Sequence, residues 1–328
     1  MERILFDTLV TGLPLIPLFM GIYIVLRIRE DFDLTVEGSF ALGGAVSAVL
    51  LSNGHGPGIA LLLGCTAGAL AGLGTAMLNL WLHIPVLMAG LVMNLALFTI
   101  TLRIMGTPTI SLLRVDTIFS GVGGPSQTVP VIIVLAVIIA VILGGFALFL
   151  RTEIGLSLRA SGLNPRMVRS QGVNDNGLMV MALVISNALA AFSGFLIIQV
   201  QGYSDINMGT GMFIAGTGAV LLGALFLNPT GSQVLRIILS ILLGGLLYRL
   251  ILVASLRAGL PAGDLKGITA LTLIIAVAAQ AYVTPAIGRY SSFLKRGTRS
   301  SASDDDGTDV SSGRDIVAVP TPPTSPER

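Results

Sequence analysis

From Gly38 to Leu102 the chain contains no Asp, Glu, Lys or Arg, an uncharged run of 65 residues bounded by Glu37 and Arg103. A helix on the surface of a soluble domain needs a charged or polar face against its apolar stripe, and this run has no charge to build one. At roughly 20 residues per helical crossing it is long enough for about three passages through a bilayer. The rest of the chain is similar: 53% of residues are apolar and 11% charged. Twelve of the charged residues fall within 289–328, so the body is poorer in charge than the average. The composition predicts an all-α, polytopic membrane protein with about 8–10 transmembrane or re-entrant helices.

Apolar stretches fall at about residues 8–26, 36–52, 57–80, 86–103, 129–150, 178–200, 208–227, 232–255 and 265–285. The dividers SNGHGPG at 52–58, WLHIP at 81–85 and NPTG at 228–231 carry the Gly, Pro and Asn chemistry that stops and restarts helices. The second stretch is short and opens on Glu37, Gly38 and Ser39, so it reads as a crossing or as a half-helix that turns back. Asp7 interrupts the apolar start and no small-residue cleavage pattern follows, so the first stretch is expected to stay in the mature protein.

Orientation follows from the connectors. Residues 151–177 hold Arg151, Arg159, Arg166 and Arg169 against Glu153 and Asp175, which predicts a cytoplasmic loop. Arg289, Lys295, Arg296 and Arg299 place the region after the last stretch on the same side, and the four intervening stretches agree with that parity. The N-terminus is then outside if all nine stretches cross, and inside if the second is re-entrant. The chain thus divides into a transmembrane domain, 1–288, and a tail, 289–328. The tail is rich in Ser, Asp, Pro and Thr, has no helical period, and is expected to be a disordered cytoplasmic extension.

A weak internal echo links DLTVEGSFALGGAVSAVLL at 33–51 with DINMGTGMFIAGTGAVLLG at 205–223, the pattern of a two-half pseudo-repeat. Its plain alternative is that two Gly/Ala-rich membrane helices look alike.

Several chemistries are missing their residues. The two lysines, Lys266 and Lys295, each follow a leucine, so no Gly-Lys-Ser/Thr phosphate loop exists. His55 and His83 lie in short connectors outside any HExxH, and no GxSxG elbow occurs. Cys65 is the only cysteine, which excludes a disulfide within the chain and a thiolate metal site. A net charge of +2 spread over loops is no nucleic-acid face. The chain reads as no enzyme, with no catalytic or metal-binding residues.

What remains is polar residues inside apolar helices. Glu37, Asn94, Asn187, Gln199, Asp205 and Asn207 are candidates for a translocation pathway, because intramembrane polar groups are costly unless they pair or face water. Helix-to-helix hydrogen bonding is the competing reading for each one singly, as it is for Asn79 and Gln201. QVQGYSDIN at 199–207 could frame an external gate. Arg236 and Arg249, about 20 Å apart along one helix, are expected to reach opposite interfaces. A pairing of Arg249 with Asp205 is the alternative. Gly43, Gly44, Gly68, Gly72, Gly216 and Gly218 are expected to permit close packing.

The arginine loop, RTEIGLSLRASGLNPRMVRSQGVNDN, has the grammar of two short helices, the second with Asn164 as N-cap, Pro165 at its first position and Gly172 at its stop. Leu156, Leu158, Met167 and Val168 would be displayed among Arg159, Arg166 and Arg169, which marks either a docking site for a protein partner or a stretch lying on anionic headgroups.

Taken in order, DLTVEGSFALGGAVSA, TLRIMGTPTISLL, LRTEIGLSLRASGLNPRMVRSQGVN, ISNALAAFSG and QVQGYSDINMGTGM resemble the membrane permease of a bacterial ATP-binding-cassette importer. The likeness runs from about Ile4 to Ala286. It is narrowest to the branched-chain amino acid and ribose permease family, in a branch often paired with amino-acid-type binding proteins. The resemblance implies two cytoplasmic ATPase subunits, a second permease copy or homologue, an extracytoplasmic substrate-binding protein and residence in the cytoplasmic (inner) membrane. It also implies that 151–177 is the coupling loop, with Leu156, Leu158, Arg159, Asn164, Arg166, Met167, Val168 and Arg169 as the coupling residues. No cofactor would be bound by this chain, ATP being used by the partners. The expected function is a translocation pathway for a small solute, an amino acid or related compound before a sugar. The alternative is a carrier driven by an ion gradient, for which Glu37 and Asp205 are the acids near span ends.

Overall fold

A computed structural model describes residues 2–113, 115–120, 128–227 and 234–279, all within the first of two units, Met1–Gln280. The reversal expected at 228–231 and the tail lie outside the described residues. Seven described helices are long and apolar enough to cross a membrane, and two more, Met212–Phe226 and Leu265–Ala279, are apolar but shorter. Together these nine segments coincide with the nine apolar stretches.

The first crossing is composite. Helix α1 (Glu2–Gly12) passes through a 3-10 turn at Leu13–Leu15 into α2 (Ile16–Tyr23) and a π-helical turn at Ile24–Ile28. Pro14 and Pro17 explain the breaks, since each removes a backbone donor from an otherwise apolar helix. There follow α3 (Thr35–Ser52), α4 (Pro57–Leu82), α5 (Val86–Met105), strand β1 (Thr109–Ser111), α6 (Thr128–Arg151) and the loop helices α7 (Glu153–Leu163) and α8 (Pro165–Ser170). Then come α9 (Asp175–Gln201), strand β2 (Tyr203–Asp205), α10 (Met212–Phe226), α11 (Val234–Arg257) and α12 (Leu265–Ala279). The turn grammar holds. Gly54 takes a positive φ of 80° and Pro57 opens α4, while His83, at φ 55°, ends α4 and Asn79 Nδ2 closes that turn on the Ile84 carbonyl at 2.6 Å.

Contacts between helices give their directions. The Ser193 hydroxyl of α9 donates to the Pro14 carbonyl at 2.6 Å, and Gly21 of α2 lies against Ser186, so the first crossing runs antiparallel to α9. Ser39 meets Asn187 and Gly43 meets Ala191, so α3 runs parallel to α9. Ser47 bonds the Ala60 carbonyl and Thr35 bonds Thr75, so α4 returns antiparallel to α3. At the end of the bundle that carries α7 and α8, the chain leaves the first crossing. At the opposite end α3 finishes. The second stretch therefore crosses and is not re-entrant, and the N-terminus lies at the end of the bundle away from α7 and α8. Strands β1 and β2 pair antiparallel at that far end, Thr109 opposite Asp205, a ladder of which the hydrophobic periodicity shows no sign.

The core is α3, α4 and α9, held at small-residue contacts. A Cβ on Gly21 would come within 2.6 Å of the Ser186 carbonyl oxygen, and one on Gly68 within 2.5 Å of the Asn187 carbonyl. Without a hydrophobic drive between helices in lipid, such close approach is what dispersion contacts require. Gly218 is different, with nothing nearer than Leu273 at 3.9 Å. Replacing Gly68 with Val must push α4 off α9, at a cost of about 1–3 kcal/mol or more. Gly144 on α6 has open space around it. Gly68→Val should therefore cut the yield of monodisperse protein in mild detergent severalfold, and Gly144→Val should leave it near wild type, read by size-exclusion chromatography.

Candidate functional site

Residues 30–34 connect the π-helical turn to α3 outside the helical ladder, and two carboxylates organise them. Thr35 and Thr75 share a hydrogen bond of 2.6 Å, and Thr75 stands seven residues from the end of α4. At 1.5 Å per residue, α3 therefore begins roughly 10 Å inside that end of the bundle. Irregular backbone at this depth is tolerated only when protein encloses it. Asp33 does the enclosing: it is fully buried, its Oδ1 accepts the Thr35 N–H at 2.8 Å, and its Oδ2 accepts from Asn187 Nδ2 at 2.7 Å. Asn187, also fully buried, gives its other amide proton to the Leu183 carbonyl at 2.9 Å and accepts the Ser39 hydroxyl at 2.7 Å. Asn187 is thus a satisfied link between helices. Gly90 of α5 leaves room for this turn, since a Cβ there would stand 2.9 Å from Asp33 Oδ1. Asp33 heads one of the echoed segments, and only the tertiary contact with Asn187 distinguishes it from the neighbouring loop acids.

Glu37, in the first turn of α3, reaches across to α10. Its Oε1 accepts the backbone N–H groups of Gly211 at 3.0 Å and Phe213 at 3.2 Å, a carboxylate cap on a helix that starts inside the bundle. Gly223 packs on Ser240 and Gly244 on Ala219, so α10 runs antiparallel to α11, which itself runs antiparallel to α1 through Arg249 on Thr11 and Arg257 on Asp7. The two echoed segments therefore form α3 and α10, run in opposite directions, and meet at their N-termini. Beside that junction a cavity of about 110 Å³ is lined by Glu37, Gly38, Asn94, Phe98, Thr101 and Thr210, among others.

The remaining pathway candidates separate from this pair. Glu37 and Asn94 line the cavity, whereas Gln199 is buried on α9 with its Oε1 accepting the Ile118 N–H at 3.2 Å. Asp205 holds the β ladder, accepting from the Thr109 hydroxyl at 2.9 Å and the Asn207 N–H at 2.8 Å, and Asn207 is exposed. Arg249 does not pair with Asp205: its Nε donates to the Thr11 hydroxyl at 2.8 Å.

The loop confirms its grammar and corrects its display. Thr152 caps α7, and the Asn164 side chain accepts the Met167 N–H at 3.1 Å to cap α8, with Pro165 following and Gly172 at φ 81° ending the unit. Leu158 is 0% and Val168 4% exposed, so these two are anchors of the fold and not displayed groups. Leu156 and Met167 are exposed, as are Ile154 and Leu163. The helical period explains the split, since each short helix must bury one face against the bundle. Arg159 donates to the Leu150 carbonyl at 3.0 Å at the end of α6, while Arg166 is exposed. Arg169 pairs with Asp175 at 2.9 Å, and Asp175 also binds Arg29 at 2.7 Å and the Ser161 hydroxyl at 2.9 Å. Burial holds the neighbouring Asp31 carboxyl above the usual carboxylate range, against the pull of Arg29. Arg29 thus ties α7 and α9 to the irregular segment that leads to Asp33.

Residues 4–287 match the family described as branched-chain amino acid transport system / permease component. The chain belongs to this family. The permease is 34% identical over 257 residues to the tyrosine transport system permease protein of Clostridioides difficile, covering 78% of this chain and 84% of that one. It is 34% identical over 279 residues to the uncharacterized protein RP368 of Rickettsia prowazekii, covering 84% and 97%. The galactofuranose transporter permease protein YtfT of Escherichia coli is 26% identical over 218 residues, covering 66% and 63%. No solved structure matches the permease. It is a multi-pass membrane protein, the permease component of an ATP-binding-cassette importer, a transporter subunit and not an enzyme, and such a permease works with ATPase and binding-protein partners. That membership sets aside the gradient-driven carrier.

Removing the Asn187 amide leaves Asp33 Oδ2 without its donor. Asn187→Leu should destabilise the permease by about 2–3 kcal/mol, the scale of a lost hydrogen bond to a charged group. In an Asp33→Asn background the same change should cost clearly less. Denaturant unfolding in detergent of the four proteins of this cycle measures both.

Proposed function

We propose that this permease carries an amino acid or a related small solute across the bacterial cytoplasmic membrane, with two cytoplasmic ATPases docked on α7 and α8 and a substrate-binding protein delivering at the β1–β2 end. The observation that carries this reading is the division of the loop into buried anchors and displayed side chains. Leu158 and Val168 fix α7 and α8 to the bundle, and Ile154, Leu156, Leu163 and Met167 are left exposed. A loop that only rested on lipid headgroups would not need the buried tie of Arg29 and Asp175. That tie suits a lever, because force applied to α7 reaches Ile28 and the irregular segment directly. Gly162 of α7 packs on the Ile28 carbonyl. The similarity to a tyrosine transport permease supports an amino acid over a sugar.

A second permease copy or homologue completes the pathway. The cavity beside Glu37 reaches α5 at Leu95, which is 69% exposed, and Phe98, which is 47% exposed. A polar cavity that opened on lipid would be costly, whereas one that opened on a facing permease lines a water-filled route. The chain itself binds no cofactor and no nucleic acid, ATP being consumed by the partners. By the positive-inside rule the α7–α8 end and the tail are cytoplasmic and the N-terminus is outside.

Met167→Asp and Leu163→Asp should abolish co-purification of the ATPases and ATP-dependent uptake while leaving membrane insertion intact, since a buried interface anchor is worth about 2 kcal/mol or more. Val168→Asp should instead lower the yield of folded protein. ATPase capture by both exposed-site variants at the wild-type level would refute the docking assignment. In a Cys65→Ser background, a cysteine replacing Asn53 should react with an impermeant thiol reagent added to intact cells, and one replacing Ser170 should not. The opposite pattern would reverse the orientation.

A further inference from the structure

Helices α1 and α11 border a groove of about 550 Å³. Nine leucines and Thr8 line it, and Thr8 commits its hydroxyl to the Ile4 carbonyl at 2.7 Å. The lining therefore offers no free hydrogen-bonding group, and hydrocarbon is what fills it without leaving a polar atom unpaired. Leu239, Leu243, Leu246 and Leu250 carry the groove along α11, and Leu5 and Leu9 border it from α1. Leu239 and Leu250 stand about 16 Å apart along the axis, the depth of one leaflet in a hydrocarbon core about 30 Å thick.

The two ends of this face differ in charge. Arg236, Leu243, Leu250 and Arg257 follow one another at intervals of seven, so each step turns the face of α11 by only about 20°. Arg257, at the end of the bundle away from α7 and α8, pairs with Asp7. Arg236 stands at the other end, on the side of α7 and α8, is exposed, and makes no ion pair among the described residues. The sequence holds no Asp or Glu between Asp205 and Asp264, so neither α10, the connector at 228–233 nor α11 supplies it with an anion. A hydrocarbon groove that starts at a cation without a counter-ion calls for a ligand with an anion at one end of an apolar chain. We propose that the groove seats one acyl chain of an anionic phospholipid from the leaflet at the α7–α8 end, with the phosphate on Arg236. The guanidinium fork suits a phosphate, whereas a zwitterionic headgroup brings its own cation to that phosphate and competes with the arginine. The seated chain adds to the direct contacts of α11 with α1 at Thr11 and Gly12. The seat depends neither on the solute nor on the docking of ATPases.

The test counts retained lipid. Full-length permease in dodecyl maltoside micelles is mixed with equal amounts of dipalmitoyl phosphatidylglycerol and dipalmitoyl phosphatidylcholine, and the lipids that stay bound are identified by native mass spectrometry. One phosphatidylglycerol should be retained in preference to phosphatidylcholine. Arg236→Gln should lower that preference about fivefold, the factor equivalent to ~1 kcal/mol per basic residue at an anionic surface. Arg103→Gln, at an exposed arginine of α5 outside the groove, should leave it at the wild-type value. Leu243→Trp fills the groove from an exposed position, so the protein should stay monodisperse and lose the retained lipid whatever its headgroup. Equal retention of the two lipids by the wild type, an unchanged preference in Arg236→Gln, or lipid still bound to Leu243→Trp overturns the proposal. So does an equal fall in Arg103→Gln, which would mark general surface attraction. In a Cys65→Ser background, a cysteine replacing Leu243 that cross-links to a second polypeptide would show a partner helix in the groove and overturn the lipid seat as well.

Discussion

A buried carboxylate with no cation bonded to it among the described residues is the constraint around which this bundle is arranged. Asp33 holds the start of α3 through the Thr35 N–H and holds α9 through Asn187. Without those bonds, residues 30–34 would bring unpaired backbone and an unpaired acid to membrane depth, where each unsatisfied group costs several kcal/mol. The contact therefore decides where α3 begins. The start of α3 in turn decides where Glu37 stands, and Glu37 fixes the N-terminus of α10.

That chain of dependence joins the loop helices to the interior of the bundle. At one end Asp175 binds Arg29, Arg169 and Ser161, which fastens α7 and α9 to the last turn of the first crossing. About 10 Å deeper on the same side, the irregular segment delivers Asp33 and then Glu37 to the junction of α3 and α10. Only five residues, 30–34, separate Arg29 from Thr35, and they are not helical, so they can change conformation without breaking a helix. A π-helical turn at Ile24–Ile28 precedes them, and such turns store slack in a hydrogen-bond ladder. On the proposed docking of the ATPases at α7 and α8, the importer has a connection that is stiff at those helices and compliant where α3 begins.

The candidate pathway residues illustrate how membrane depth separates roles that composition merges. Asn187, Gln199, Asp205 and Asn94 are all polar groups near or inside apolar helices. Asn187 and Gln199 bond neighbouring segments, Asp205 holds a two-stranded ladder, and Asn94 lines the cavity. Their residue types do not distinguish these roles, because an amide that links helices and an amide that lines a cavity have the same hydropathy. The same holds for the loop, where Leu156 and Leu158 are two positions apart on one short helix and end on opposite faces.

The amino-acid sequence by itself determined the nine apolar segments, the sharp reversals between them and the caps of α7 and α8. Each of these follows from local chemistry: the length a bilayer demands, the φ that Gly allows, the donor that Pro lacks and the acceptor that Asn supplies. The family was legible too, in motifs that keep their order along the chain. Only the tertiary structure decided that Asp33 matters more than the acids beside it, that α3 and α10 meet head to head at Glu37, and that Leu158 and Val168 face inward. These depend on which residues, 132 to 176 positions apart, share one small volume, as Arg29 and Ser161 do, or Glu37 and Phe213. Apolar helices that pack through glycine have many nearly equal partners in sequence, and the few polar contacts that choose among them are satisfied only in the assembled bundle.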